Sequence, residues 1–405
     1  MITQMQYKKL LFVSVLLFAN NQMSSASEWS GQVSIETRLF TESAAYSEQH
    51  SDNSSIAFQP EFYHEFGSSN ESITFVPYIR LDQHDNERSH ADIRELTWLK
   101  VDDNLEWRIG VRKVFWGVTE SQHLVDIINQ TDAVDSPDGE DKLGQPMLNL
   151  SYITNIGTFD AFILPYFRER TFAGKKGRLR SEPYVDTATT FYESNDRKEH
   201  IDYAFRWSHS IEEWDFGLSY FTGTSREPRF LTGTDQDGEE TFHPYYDLIQ
   251  QYGIDIQATY NSWLWKFEGI HRSGLGGTGD SKLNAVTAGI EYTFYSVIGE
   301  ATDIGLLIEY LRDDRGNAAT TPFQKDFLFG LRFNLNDEQS SEALIGVIKD
   351  VDSDATIYTV EASRRLTQHI KLSVEVKQYK NIAANEALYS YLKDDYIQFE
   401  LAYFF

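Results

Sequence analysis

The residues in this sequence whose types and spacing could do chemistry are charges, and they fall into three groups. Arg80, Arg94, Lys100, Arg108 and Arg112 fall at matching positions of three successive extended segments. Cations in that pattern form a ladder on one face of a wall; in a pore such a ladder attracts anions and orients solutes. The same spacing equally suits a structural network compensated by carboxylates. The second group is an acidic run, Asp132, Asp135, Asp138, Glu140 and Asp141. Its spacing of three misses the EF-hand pattern and Gly139 alone does not restore it, so no metal and no cofactor are expected. The third group is basic: Arg168, Arg170, Lys175, Lys176, Arg178 and Arg180. It reads either as an anion-binding patch or as a docking surface for the acidic run, and opposite charge blocks this close in sequence favour docking. His123, His243 and His271 come without a nucleophile elbow or a metal-type histidine pair, so no catalytic residue and no enzyme activity are expected.

The elements that position these charges are constrained by composition. The chain has 405 residues and a net charge of -26, which argues against nucleic acid as a partner. It has no cysteine, which removes disulfides, thiolate metal sites and a cysteine nucleophile. Mean hydropathy is -0.45, yet aromatics make up 14% of the chain. That combination fits a large soluble β-protein, or a barrel that shows lipid only every second residue.

Residues 1–26 read as a secretory signal peptide: Lys8 and Lys9, an apolar run from Leu10 to Ala19, then Ser24, Ser25 and Ala26 as the cleavage pattern. Residues 27–405 then form a single domain. No later segment is apolar for long enough to cross a bilayer as a helix.

Period-two alternation fills the rest of the chain. In the last segment Ile397, Phe399, Leu401, Tyr403 and Phe405 share one face, with Gln398, Glu400 and Ala402 on the other. Val286, Ala288, Ile290, Tyr292 and Phe294 repeat the pattern, as do Phe327, Phe329, Leu331, Phe333 and Leu335. Strands are expected at 30–41, 54–66, 72–82, 91–101, 105–116, 146–154, 158–168, 199–209, 213–223, 248–260, 262–272, 284–294, 303–312, 325–335, 342–350, 355–365, 369–379 and 395–405. The segment 91–101 breaks the alternation, because Leu96 and Trp98 oppose Leu99 and Val101. Connections alternate short and long, with 351–354 as the exception, and a β-sandwich has no reason to sort its loops this way. The fold class is therefore all-β, a transmembrane antiparallel up-and-down barrel of about 18 strands, 16 being the nearest neighbour. Trp107, Trp207, Trp214, Trp263 and Trp265 fall near strand ends, where two interfacial girdles are expected. The loop 117–145 carries the acidic run. Within it, Thr119 to Gln130 has capping-box spacing and an apolar stripe, Leu124, Ile127 and Ile128, and reads as a short helix. A loop of that length in a wide barrel either folds inward and narrows the pore or caps the outside.

The ending Tyr403, Phe404, Phe405 resembles that of bacterial outer-membrane proteins generally, in which the C-terminal strand is read by the barrel-assembly machinery. The stretch Gly110 to Gly117 looks like a strand motif of large porin-like proteins, where a Gly-x-Arg strand ends in Trp-Gly and leads into a long loop. The strand count is also similar to that of substrate-selective porins and alginate exporters. This porin-like resemblance implies the outer membrane of a Gram-negative bacterium. Its partners there would be outer-membrane lipid, lipopolysaccharide, which the basic group could also bind, and the assembly machinery. It implies a channel for small hydrophilic solutes, anionic ones if the arginine ladder dominates the lumen. A non-conducting binding or scaffold barrel is the second reading, an outer-membrane hydrolase the third. Oligomeric state is not legible.

Overall fold

The computed structural model describes residues 27–405 apart from 68–69, 277–280, 300, 317–318 and 320; the expected leader, with cleavage after Ala26, lies outside the described residues. Alternating segments become strands in chain order. They are β1 (Ser27–Phe40), β2 (Asp52–Glu65), β3 (Glu71–Asp82), β4 (Ala91–Asp102), β5 (Leu105–Arg112), β6 (Gln145–Thr154) and β7 (Gly157–Leu164). After a two-residue β8 (Phe191–Tyr192) come β9 (Asp202–Ile211) and β10 (Trp214–Thr224), then β11 (Arg229–Thr234) and β12 (Glu240–Tyr246). The wall continues with β13 (Leu248–Tyr260), β14 (Trp263–Leu275), β15 (Ser281–Ile298), β16 (Thr302–Asp313) and β17 (Lys325–Asn334). It finishes with β18 (Glu342–Asp350), β19 (Thr356–Arg365), β20 (Ile370–Lys380) and β21 (Tyr396–Phe404).

Eighteen of these form one sheet, each strand antiparallel to its neighbours. The sheet closes on itself because β21 pairs with β1, from Gln32 opposite Phe404 to Phe40 opposite Tyr396. Closure leaves no edge, as a sheet in lipid requires. Every strand expected from the alternation is present. β8, β11 and β12 make a small separate sheet in the loops, and no α-helix occurs among the described residues.

The pleat sorts side chains as the alternation predicts. Ile35, Ile308, Phe329, Phe399 and Leu401 are exposed on the outer face, whereas Glu36, Arg38, Asp255, Glu268 and Glu309 are buried on the inner face. A charge at the middle of such an outer belt costs about 2–4 kcal/mol. Phe329→Arg is therefore expected to lower the stability of the lipid-inserted barrel by that amount, read as a shift in the urea midpoint of reversible folding into vesicles.

Eight short turns, from 66–70 to 366–369, lie at the rim where β1 begins and β21 ends; the long connections lie at the other rim. The 351–355 connection stays short there. The girdle expectation needs correcting. Trp107, Trp207, Trp214, Trp263 and Trp265 all lie toward the turn rim, joined there by Trp29 and Trp98, so they serve one interface rather than two. Tyr220 against Tyr252 (4.9 Å) and Tyr310 against Phe327 (5.0 Å) lie nearer the loop rim.

A β-bulge explains the broken alternation in β4. The register against β3 shifts between Val76 and Pro77, where Glu95 and Ile93 are the partners and Arg94 is the extra residue. An extra residue reverses which parity faces in. Ile93 and Leu96 are exposed outside, while Arg94 and Thr97 are buried inside. Lys100 is opposite Trp107 and follows Leu96 and Trp98 outward. It pairs with Glu71 (3.6 Å) near the turn rim.

Candidate functional site

The connection between β5 and β6 does not cap the barrel; it folds into the lumen. The strand ends at Arg112 instead of running to residue 116, because the loop's own side chains replace the neighbouring strand. Asn129 Oδ1 accepts the Val114 N–H (2.8 Å), Asp126 Oδ1 accepts the Trp116 N–H (3.3 Å), and Asn129 Nδ2 donates to the carbonyls of Arg112 (2.9 Å) and Leu143 (2.8 Å). Gly117 then turns inward at φ +149°, and a Cβ there would lie 2.8 Å from His123 Nδ1 and 3.1 Å from Glu268 Oε1. The Arg206 guanidinium lies over the Trp116 ring, 5.1 Å from its centroid, within the reach of about 6 Å for a cation–π contact.

The helix expected over Thr119 to Gln130 is absent. Its apolar residues do not need a helix to be buried. Leu124, Val125, Ile127 and Ile128 pack on Met147, Phe162, Leu164, Ala204, Phe221, Ile249 and Ile270 of the inner wall. Val125 and Ile128 are fully buried, and burying each stabilises by about 1.5–3 kcal/mol. The backbone N–H groups of this irregular segment go to wall carboxylates. Glu268 on β14 accepts from Val118 (2.7 Å), Thr119 (3.0 Å) and Val125 (3.2 Å), and the Thr119 hydroxyl lies 2.8 Å from it. Glu309 on β16 accepts from Glu120 N–H (2.8 Å), Ser121 N–H (2.9 Å) and the Ser121 hydroxyl (2.6 Å). Arg332 on β17 holds Glu120 at 2.6 Å.

The acidic run reaches the opposite wall. Arg94 donates to Asp132 and Asp135, each at 2.6 Å; Arg80 adds Asp135 at 2.8 Å. Arg88, on the loop between β3 and β4, donates to the Val134 carbonyl (2.7 Å), and Lys377 on β20 reaches Asp138 (3.1 Å). Although burial pushes the Asp132 carboxyl up, His90 and Arg94 hold it below the usual carboxylate range. Desolvation inside the lumen raises the Asp138 carboxyl, but Lys377 and the Ser136 hydroxyl bring it down to about 2. Asp141 is pushed up to about 6 by burial and then by Asp135 and Asp138. Burial would lower the His123 imidazole, yet Glu140 and Glu268 lift it to about 10.

His90, Asp132 and Asp135 also have the mutual spacing of a metal cage. The Arg94 and Arg80 guanidiniums already occupy those carboxylates, and a cation would have to displace them.

The structure thus joins Arg80 and Arg94 of the expected ladder to the acidic run, and separates the rest. Arg108 pairs with Glu106 and Ser151, Arg112 donates to Asn149 (2.8 Å), and Lys100 faces outward. The basic group does not dock on the acidic run through its cations. Arg168 pairs with Asp92 (2.6 Å) and Lys175 with Glu239. Arg178 pairs with Asp394 (2.5 Å) and Arg180 with Glu182 (2.7 Å). Arg170 and Lys176 form no ion pair among the described residues. Among the described residues Thr171 makes the link instead, its hydroxyl donating to Asp132 (2.7 Å) beside a backbone bridge. Alternation alone puts Glu268, Glu309 and Lys377 on the inner face, but nothing local in the sequence brings them to the loop. Arg88 and His90, in a short loop, carried no signal.

What the loop leaves is a polar recess of about 210 Å³ against β1–β4 and β21, lined by Gln32, Ser34, Gln59, Tyr78, Lys113, Asp141 and Glu400 among others. Lys113, Asp141 and Glu400 form no ion pair among the described residues, so the recess keeps two carboxylates and one ammonium unpaired.

No known protein family matches the chain, and no curated protein matches it by sequence. Solved structures do match in outline. A mutant of Rh. blastica porin is 11% identical with a TM-score of 0.44, over 94% of this chain and 100% of that one. OmpT of Vibrio cholerae, an outer membrane protein in its trimer form, is 7% identical with a TM-score of 0.47, over 94% and 99%. By the geometry of its own wall, closed and antiparallel with apolar residues outside and charges inside, the chain is porin-like in fold.

Proposed function

We propose that the protein is an outer-membrane channel of a Gram-negative bacterium, passing small hydrophilic solutes through a lumen whose width the 113–144 loop sets. The observation that carries this reading is the loop itself, fastened to β14 and β16 on one side and to β3, β4 and β20 on the others, beside a polar recess. Loops that only cap a barrel have no need of anchors inside it. An anion pathway is not favoured: Arg80, Arg94, Arg206, Arg332 and Lys377 each carry a carboxylate partner. The unpaired carboxylates of Asp141 and Glu400 outnumber the Lys113 ammonium, which favours cations weakly. Export by the 1–26 leader and assembly through the strand ending at Phe405 belong to the same reading; Phe405 exchanges backbone hydrogen bonds with Gly31 at the barrel seam, 3.1 Å each way.

The test is conductance of the purified protein in planar bilayers, with the reversal potential under a salt gradient. Discrete steps with a small cation preference are expected; a silent bilayer would leave the non-conducting binding barrel as the reading. The preference should depend on pH with a definite sign. Above about 6 Asp141 is ionised and adds negative charge to the recess; below about 6 it is protonated and that charge is gone. The cation-to-anion permeability ratio should therefore fall as pH drops through about 6. Asp141→Asn should show the low ratio throughout and lose the inflection.

A further inference from the structure

The basic stretch Arg168 to Arg180 has no part in the channel reading, and its course over the barrel needs a reason. It lies in the connection between β7 and β9, whose ends are paired at Leu164 and Asp202 and could be joined by a tight turn. Instead the chain passes Asp92 on β4, where Arg168 pairs, and Asp132 on the inward arm, where Thr171 bonds. It ends on β1 and on the loop before β21. β7 stands six places from β1 in a ring of eighteen. Residues 172–180 thus form a finger that reaches a third of the way round the outer mouth.

The finger tip has a seat. Gly174 N–H donates to Asp85 Oδ2 (3.0 Å), and the Gly177 carbonyl accepts from Gln49 Nε2 (2.7 Å). A Cβ on Gly177 would lie 2.3 Å from Asp85 Oδ2, so only glycine lets the backbone come this close. Arg178 donates to Asp394 (2.5 Å), to the His50 carbonyl (3.0 Å) and to the Lys393 carbonyl, and its guanidinium lies 4.2 Å from the Phe40 ring centroid. Leu179 N–H donates to the other oxygen of Asp394 (2.8 Å). The Leu179 side chain is buried among Phe40, Tyr379, Ile382 and Tyr396. It gets there at φ +58°, the left-handed region that a bulky side chain avoids. A residue strained in this way persists only where its surroundings hold it, and such residues cluster at switches. Beneath the finger, Ala173, Gly177 and Leu179 share a narrow gap with Ala133, Val134 and Pro137 of the arm. β1 gives the order from outside inward. Phe40 meets the finger, Glu36 meets Arg80 and Arg88, and Ser34 lines the recess.

We infer that residues 172–180 are a latch over the outer mouth, held by Arg178 and Leu179, and that the β1–β4 side of the lumen opens outward only when the finger leaves its seat. Two opposed forces make it a latch and not a fixed cap. The buried Arg178–Asp394 pair and the apolar pocket pull the tip down, while the left-handed backbone of Leu179 is relieved when the tip lifts. The seat outlasts the motion, because Phe40, Tyr379 and Tyr396 belong to strands of the wall. The steric fit is equally specific. Asp85 cannot swing aside for a larger residue at 177, since its carboxylate also accepts the Glu87 N–H (3.0 Å).

The inference rests on the proposed orientation, loop rim outward, and not on the lumen conducting. The chain has no cysteine, so a single introduced thiol reports alone. Ile382→Cys places one in the pocket that Leu179 fills. Intact cells are treated with a maleimide on a polymer too large for general porins, which arrives only from outside, and the modified protein is counted by its gel shift. Labelling is expected to be slow while the finger is seated and about tenfold faster in two backgrounds, as exposure by local opening requires. Arg178→Gln removes the ion pair, and Gly177→Val drives a side chain against Asp85. Lys176→Gln, on the same finger but without an ion pair among the described residues, is the control and should label at the slow rate. A rate that stays slow in either Arg178→Gln or Gly177→Val, or that is already fast without them, overturns the latch. Folding of each variant is checked by the heat-dependent gel mobility of the barrel. Bilayer conductance is measured separately. Faster labelling with a silent bilayer removes the channel and leaves the latch; conductance steps with unchanged labelling remove the latch and leave the channel.

Discussion

Arg94→Ala is expected to release the acidic arm of the inward loop and to widen the lumen, giving larger and noisier single-channel steps. Arg94 is buried on the inner wall and holds two carboxylates, Asp132 and Asp135, that are themselves almost inaccessible to solvent. Removing one member of a buried ion-pair cluster costs about 3–5 kcal/mol, because the charges left behind have no water to turn to. Asp135 keeps Arg80, and Asp132 keeps His90 and Thr171, so the barrel should still fold while the arm lifts away. A triple variant in which Arg94 becomes Met and both aspartates become Asn separates two causes. If unpaired charge drives the release, the triple variant should restore quieter steps; if the pairs themselves hold the arm, it should gate as the single variant does. Unchanged conductance in Arg94→Ala sinks the proposal that the arm sets the width.

Glu268→Ala should act on the opposite side of the lumen and through a different force. It deprives three backbone N–H groups, those of Val118, Thr119 and Val125, of their acceptor in a site closed to water. An unsatisfied buried donor costs about 1–3 kcal/mol. The first half of the loop should then detach from β14 while Glu309 and the apolar contacts of Val125 and Ile128 resist. The expected readings are flickering conductance and faster cleavage between residues 117 and 125 by a protease added from the loop side. Glu268→Gln keeps one oxygen and should lie between the two. Protease resistance equal to that of the unaltered protein would show that the apolar seat alone is sufficient.

The wall was legible in the sequence because its determinants are local. In β17, Phe327, Phe329 and Leu331 alternate with Leu328 and Gly330, and a pleat converts that directly into an outside and an inside. The bulge at Arg94 was not legible, since Arg94 and Glu95 are both polar and nothing in the pair announces an extra residue; Lys100 was assigned to the wrong face for that reason. The helix expected over 119–130 failed differently. Its apolar stripe was real, but the surface that buries it is assembled from seven strands, and its N–H groups are met by a glutamate about 150 positions away, which no window of sequence can contain. Charge blocks misled in the same way. Arg168 and Arg178 take partners from β4 and from the loop before β21, since the barrel brings distant rims together and neighbouring blocks have no privilege.

The one-sided distribution of indole rings fixes how deep the tube sits. Seven of the eight tryptophans lie toward the turn rim, and the eighth, Trp116, is inside the lumen. Sliding along the membrane normal would have to pull a whole ring of indoles out of one headgroup layer with no matching ring entering the other. The molecule is therefore pinned by its lower collar, and differences in bilayer thickness should be absorbed at the upper one, where tyrosines and phenylalanines leave more slack. In vesicles, brominated acyl chains confined to the leaflet at the turn rim should quench most of the intrinsic fluorescence.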